Sequence, residues 1–145
     1  MVVHVKKLNS AAVLPRRGSA QAAGYDLFAC LPEGEITLQP GETRRISLGL
    51  ALALPEGYFG AVFARSGLAT RQGLRPANCV GVVDSDYRGE NMVPLHNDSS
   101  LPRVIHHGDR IAQMVVMPYL AVDFAQVEEL DETERGEGGF GSTGR

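Results

Sequence analysis

The sequence has no run of about 18 apolar residues, and so no segment of transmembrane length. Its N-terminus, Met1-Val2-Val3-His4-Val5-Lys6-Lys7, lacks the long apolar stretch and small-residue cleavage site of a secretory leader. Cysteine is scarce. Cys30 and Cys79 stand far apart and form no C-x-x-C pair, which excludes a disulfide framework and a cysteine zinc site. Two free thiols in a reducing cytoplasm are expected instead. An excess of one charge is also missing: 14 Lys and Arg against 17 Asp and Glu leave a net charge of -3. That argues against bulk attraction to nucleic acid or to an anionic membrane, while leaving room for a local basic pocket. Helical periodicity is nearly absent, and no internal repeat is present.

What is present is an ordinary globular balance, with 43% hydrophobic and 21% charged residues in 145 positions. The length fits one domain with a modest core, which assembly into an oligomer would enlarge. The chain is turn-rich, with 17 glycines and 8 prolines. Pro32-Glu33-Gly34, Pro40-Gly41 and Pro55-Glu56-Gly57 punctuate the first half, since proline presets φ and glycine supplies positive φ. Between turns lie strand-like segments at 2–8, 35–38, 43–54, 58–64, 80–83, 92–95, 103–105, 111–118 and 121–127, with a further apolar strand at 23–29. Short strands at this spacing predict an all-β sandwich, barrel or jelly roll. One or two helical turns fit residues 66–72, with Ser66 as N-cap and Gly73 as the closing residue. The body spans 1–130. Residues 131–145 form a glycine-rich arm, expected to be flexible, with too little apolar surface to order on its own.

Five segments carry chemistry. In Ala23-Gly24-Tyr25-Asp26-Leu27-Phe28-Ala29, one carboxylate sits in an apolar strand and needs a partner or a metal-bound water. In Ala64-Arg65-Ser66-Gly67-Leu68-Ala69, a strand ends where a helical turn begins, a junction that suits an anion or simply a cap. Residues 78–90 read Asn-Cys-Val-Gly-Val-Val-Asp-Ser-Asp-Tyr-Arg-Gly-Glu, a predicted hairpin. Asp84 and Asp86 serve there as turn formers or, beside Tyr87, as a general base. Gly108-Asp109-Arg110-Ile111-Ala112-Gln113 pairs a turn with Gln113 on an apolar strand, and Asp109-Arg110 reads as a structural ion pair.

The fifth segment is the tail. Gly136, Gly138 and Gly141 match G-x-G-x-x-G formally, but neither a preceding βα unit nor a following helix is there. Glycine amides, the hydroxyls of Ser142 and Thr143, the Arg135 guanidinium and the Phe140 ring suit a nucleotide lid better than a frayed terminus. The four histidines show no ligand spacing for zinc. Asn97-Asp98-Ser99 forms a glycosylation sequon without a secretion signal.

Taken in order and spacing, the five segments resemble the trimeric deoxyuridine triphosphatases (dUTP diphosphatases), and the resemblance covers essentially the whole chain. It implies a jelly-roll-like distorted β barrel and a homotrimer with active sites at subunit interfaces. The implied activity is magnesium-assisted hydrolysis of dUTP to dUMP and pyrophosphate. Asp84 would be the base, activating a water that attacks the α-phosphorus. Asn78 and the backbone around Val82 and Val83 would hold uracil. Tyr87 would pack on the deoxyribose, and Met92 would touch substrate. Arg65, Ser66, Gly67 and Gln113 would bind the triphosphate, and Asp26 would reach Mg2+ through water. Arg135, Phe140, Ser142 and Thr143 would close as the arm. A dCTP deaminase of similar fold and a non-catalytic nucleotide-binding trimer are the alternatives. One departure stands out: Pro94 and His96 interrupt a strand that is smoother in the family, which predicts an edge or a bulge there.

Overall fold

A computed structural model describes residues 1–139. Eleven strands and one helix are formed among them: β1 (His4–Lys7), β2 (Arg16–Arg17), β3 (Tyr25–Phe28), β4 (Glu35–Leu38), β5 (Thr43–Ala53), β6 (Tyr58–Phe63), α1 (Ser66–Gln72), β7 (Leu74–Pro76), β8 (Gly81–Val83), β9 (Asn91–Asn97), β10 (Arg103–His106) and β11 (Arg110–Pro118). The all-β class expected from the turn spacing is present. The strands form three open sheets, ordered β1-β5-β9-β7, β2-β3-β11-β6-β8 and β10-β4, and no closed barrel is formed among the described residues.

Period-two burial drives the two larger sheets together. On β9, Asn91, Val93, Leu95 and Asn97 point inward while Met92, Pro94 and His96 face out. β11 packs across onto β7 and β9. Between the sheets Ile46, Leu50, Leu74, Val93, Leu95 and Ile111 are essentially solvent-free, joined by Leu38 and Ile105 from the small sheet. Both cysteines are free. Burial and the nearby Glu90 charge push the Cys30 thiol up. No helix of the described residues is long and apolar enough to cross a membrane.

Several expectations need correction. Residues 121–127 carry an alternating strand pattern but form no strand and are exposed throughout, because no sheet edge among the described residues pairs with them. β2 and β7 escape the pattern because they are too short to show a period. Residues 78–90 do not form a hairpin: β8 pairs with β6, and β9 pairs with β5 and β7, so residues 84–90 cross between sheets. Ser66 is the first helical residue rather than the cap. Arg65 holds the N-cap position with extended φ and ψ, and no side chain caps the helix. Gly73 does close it, at φ 67°.

Pro94 lies in an interior strand rather than at an edge, opposite Arg45 of β5. Its carbonyl accepts from the Ala77 amide at 2.6 Å, just past the end of β7. A residue's nitrogen and carbonyl point to the same side of an antiparallel strand, so the missing N–H of Pro94 faces that strand end rather than the β5 ladder. The bulge lies elsewhere, where the β5–β9 register jumps between Ser47 and Leu50.

Two buried asparagines contrast. Asn97 is wholly buried; its Nδ2 donates to the Leu38 and Leu101 carbonyls at 3.0 and 2.8 Å, and its Oδ1 accepts from the Ser99 amide and hydroxyl. The sequon amide is therefore a structural node closed to modification. Asn91 is also buried, opposite Leu50, but its Nδ2 has no partner among the described residues. An orphaned buried donor costs about 1–3 kcal/mol. Asn91→Leu should therefore raise stability by about 1 kcal/mol or more in urea unfolding. Asn97→Leu, which removes four hydrogen bonds of a wholly buried side chain, should lower it by about 2–4 kcal/mol. Equal effects of the two changes would contradict this reading.

Candidate active site

The sequence-derived site residues fall into two groups, set at the two ends of β6. The first is built across three neighbouring strands. Asp26 of β3 lies opposite Gln113 of β11, and Gln113 lies opposite Phe63 of β6. Just beyond Phe63 the chain turns into α1, which brings Arg65 back over the sheet. Arg65 Nε donates to Asp26 Oδ1 at 2.7 Å, and Arg110 Nη1 donates to Asp26 Oδ2 at 3.3 Å. The carboxylate placed in an apolar strand thus has its partners, two guanidinium groups. Arg110 spends its charge on Asp26 rather than on Asp109, whose carboxylate instead accepts from the His106 amide at 2.8 Å, correcting the expected Asp109–Arg110 pair.

Gln113 is held in the same group. Its Nε2 donates to the Ala64 carbonyl at 2.9 Å, and its Oε1 lies over Gly24, where any Cβ would overlap it. Gly24 is glycine for that reason, a contact between distant segments that no local pattern announces. The first-turn amides of α1 at Ser66 and Gly67 stand beside Arg65 with no side-chain cap. Arg65 and Arg110 also line a small polar hollow of about 230 Å³ with Gln72 and Asp109.

The second group surrounds residues 84–90. Val83 of β8 is opposite Gly60 of β6, so Asp84 follows at the level of Phe59. Asp84 is exposed and has no hydrogen-bond or ion-pair partner among the described residues, apart from its carbonyl, which accepts from the Tyr87 amide at 3.2 Å. It borders two hollows. One, about 420 Å³, has Val82, Val83, Tyr87, Glu90 and Met92 in its walls; the other, about 860 Å³, has Phe59, Ser85, Asp86, Arg88 and Tyr119. The Tyr87 ring folds over Gly89, where a Cβ would overlap it, and its hydroxyl donates to the Glu90 carbonyl at 3.1 Å. Asn78 is exposed next to Gly81, 3.1 Å from where a Cβ on that glycine would sit.

From the level of Phe59 to that of Phe63 and Gln113 the strand advances about 13 Å at about 3.3 Å per residue. Asp84 and the Asp26–Arg65–Gln113 group therefore do not converge within one chain. Of the tail residues, Arg135 is exposed and its Nε donates to the Gly138 carbonyl at 2.8 Å. Phe140, Ser142 and Thr143 lie outside the described residues. Sequence reasoning missed Gly24, Arg110 and Glu90 as parts of these groups. Only the glycine beside Tyr25-Asp26 carried a usable signal, a small residue in an otherwise filled strand.

No group of three or more His, Cys, Asp or Glu among the described residues could hold a metal ion. A divalent cation caged by protein ligands alone does not fit. One carried by phosphates and touching a carboxylate through water does, because each Asp26 oxygen accepts a single guanidinium and retains a lone pair.

Comparison with known proteins identifies the family. A family model described as dUTPase matches residues 10–144. Deoxyuridine 5'-triphosphate nucleotidohydrolases of Desulfitobacterium hafniense (strain DSM 10664 / DCB-2) and Syntrophotalea carbinolica (strain DSM 2380 / NBRC 103641 / GraBd1) are 51% and 47% identical over 144 residues, covering 99% of this chain and 94% and 97% of theirs. Among solved structures, the Staphylococcus bacteriophage 80alpha dUTPase with dUPNHPP superposes with a TM-score of 0.86 at 30% identity, over 99% of each chain. The dUTPase from phage phi11 of S. aureus gives 0.80 at 26% identity, over 92% of this chain and 100% of that one. With sequence and fold matched along nearly its whole length, the chain belongs to the dUTPase family.

Proposed function

We propose that the protein hydrolyses dUTP to dUMP and pyrophosphate, keeping uracil out of DNA and supplying dUMP for dTMP synthesis. Family membership supports the reaction. The observation that carries the mechanism is Asp84, a carboxylate unpaired among the described residues, at the rim shared by two hollows. A base needs free lone pairs to take a proton from water, and Asp84 keeps them. The water attacks the α-phosphorus, Asp84 takes its proton, and the bond from the α-phosphorus to the bridging oxygen breaks to release pyrophosphate. Val82 and Val83 offer backbone groups, and Asn78 an amide, to match the uracil imide. Cytosine would leave a buried mispair costing about 1–3 kcal/mol. Tyr87 walls off the sugar and disfavours a 2′-hydroxyl, with Met92 beside it.

Arg65, Ser66, Gly67 and Gln113 meet the triphosphate, where guanidinium and amide donors stabilise developing charge. Mg2+ borne on the phosphates would supply charge neutralisation, with Asp26 holding it through water. These residues lie too far from Asp84 to serve the same nucleotide from the same chain. A homotrimer in which one copy brings Asp84 and another brings the Asp26–Arg65–Gln113 group satisfies that geometry. The exposed, strand-patterned Leu120, Val122 and Phe124, with Val127 and Leu130 beyond, supply apolar surface for such assembly. Arg135, Phe140, Ser142 and Thr143 close over the nucleotide as an arm. Two free thiols suit a cytoplasmic setting.

Asp84→Asn should keep nucleotide affinity and lower kcat about 10²–10⁴-fold, because an amide cannot take the proton. Turnover within a few-fold of the parent at saturating dUTP would remove Asp84 from the base role. Deleting residues 135–145 should leave the melting temperature nearly unchanged and collapse pyrophosphate release. Stacking by Phe140 alone accounts for roughly 1–3 kcal/mol of the loss. Unfolding on truncation, or undiminished turnover, would contradict the closing arm.

A further inference from the structure

Residues 84–90 cross from one sheet to the other without a ladder, so something else must set their place. Most hydrogen bonds of this segment are internal. The Tyr87 amide donates to the Asp84 carbonyl at 3.2 Å, and Arg88 Nη1 donates to the Ser85 and Tyr87 carbonyls at 2.6 and 3.1 Å. Such bonds shape the loop but leave it free to swing as a body. Among the described residues, Glu90 has the loop's one side chain bonded to another element. Its Oε1 accepts from the Ser47 hydroxyl and from the Gly49 amide of β5, the latter at 3.2 Å.

That anchor is stiff. Ser47 and Gly49 sit in the β5 bulge, and the Gly49 amide also donates to Ser47 Oγ at 3.1 Å. Gly49 has φ +64°, and a Cβ there would lie 2.7 Å from Cys30 Sγ. The bulge is therefore backed by the buried Cys30 and has no room to slide. From this fixed point the linkage runs outward: Glu90 fixes its own backbone, and the Glu90 carbonyl holds the Tyr87 hydroxyl over Gly89. Glu90 Oε1 is turned onto β5, while Glu90 shares the walls of the 420 Å³ hollow with Arg45, Asp84, Tyr87 and Met92.

We infer that Glu90 is a positioning residue that clamps the Asp84–Tyr87 loop to the β5 bulge and so sets the sugar-facing wall of the nucleotide hollow; this rests on the dUTP reading above. The clamp needs an acceptor, not a charge. Glutamine keeps a side-chain oxygen at the same reach, and alanine removes it.

The test compares Glu90→Gln and Glu90→Ala with the parent. The readouts are KM and kcat for dUTP, the preference for dUTP over UTP, and amide hydrogen exchange at residues 84–89. Glu90→Ala should raise KM for dUTP roughly tenfold, narrow the preference over UTP, leave kcat within about threefold, and speed exchange across the loop. Glu90→Gln should track the parent in every readout. Equal impairment by both variants, or an alanine variant unchanged in KM and exchange, would overturn the inference. Should the parent fail to release pyrophosphate from dUTP, the substrate reading falls alone. The exchange comparison then decides the clamp: faster in Glu90→Ala but not in Glu90→Gln supports it, and no difference from the parent overturns it.

Discussion

β6 is locked on both sides, by β11 along its length and by β8 at Gly60–Val62. A strand held in two ladders cannot shorten or bend enough to bring its ends together. The loop after β8 is thus fixed near Phe59, and α1 with Arg65 is fixed beyond Phe63. Every other feature of the candidate site answers to that separation. The Asp26–Arg65–Gln113 group closes on itself, with each member bonded inside the chain. The Asp84 loop, lacking a ladder, takes its position from the β5 bulge.

The separation has an electrostatic consequence. Asp26 draws two arginines, as a half-buried carboxylate should. Had Asp84 lain within reach of Arg65 or Arg110, it too would have been tied up as an ion pair. Distance within the chain keeps Asp84 out of an ion pair with Arg65 or Arg110, and in the proposed trimer a second copy would bring the two groups to one nucleotide. In that arrangement arginine charge would face phosphate, and the carboxylate would face water.

Much of this was legible from local signals. The strand at 35–38, the strand expected at 58–64 and formed at 58–63, and the helix at 66–72 followed from short apolar runs and from Gly and Pro punctuation, and Gly73 ended the helix as a left-handed residue must. The site segments were legible as well, because each packs its unusual residues close in sequence. What failed was partnership. The 78–90 segment looks like a hairpin because a turn lies between two apolar runs, yet its strands belong to different sheets. Residues 121–127 have the composition of a strand without an edge to pair with. Pro94 reads as an edge signal until the end of β7 is known to lie beside it. Gly24 under Gln113 and Glu90 on the β5 bulge join segments far apart in the chain, and no window of sequence contains both partners. The buried Asn91 and Asn97 look alike in sequence and differ only in what surrounds them.

In the proposed trimer one site draws on two copies of the chain, Asp84 from one and the Arg65 group from another. Mixing Asp84→Asn protein with Arg65→Ala protein, after joint unfolding and refolding, tests it directly through pyrophosphate release from dUTP. Each variant alone should be nearly inactive. If sites are shared, random assembly pairs an intact half of each kind in roughly a quarter of them, and activity returns to that level. If each chain holds a complete site, the mixture will release no more pyrophosphate than the two variants measured apart, and the shared site is wrong.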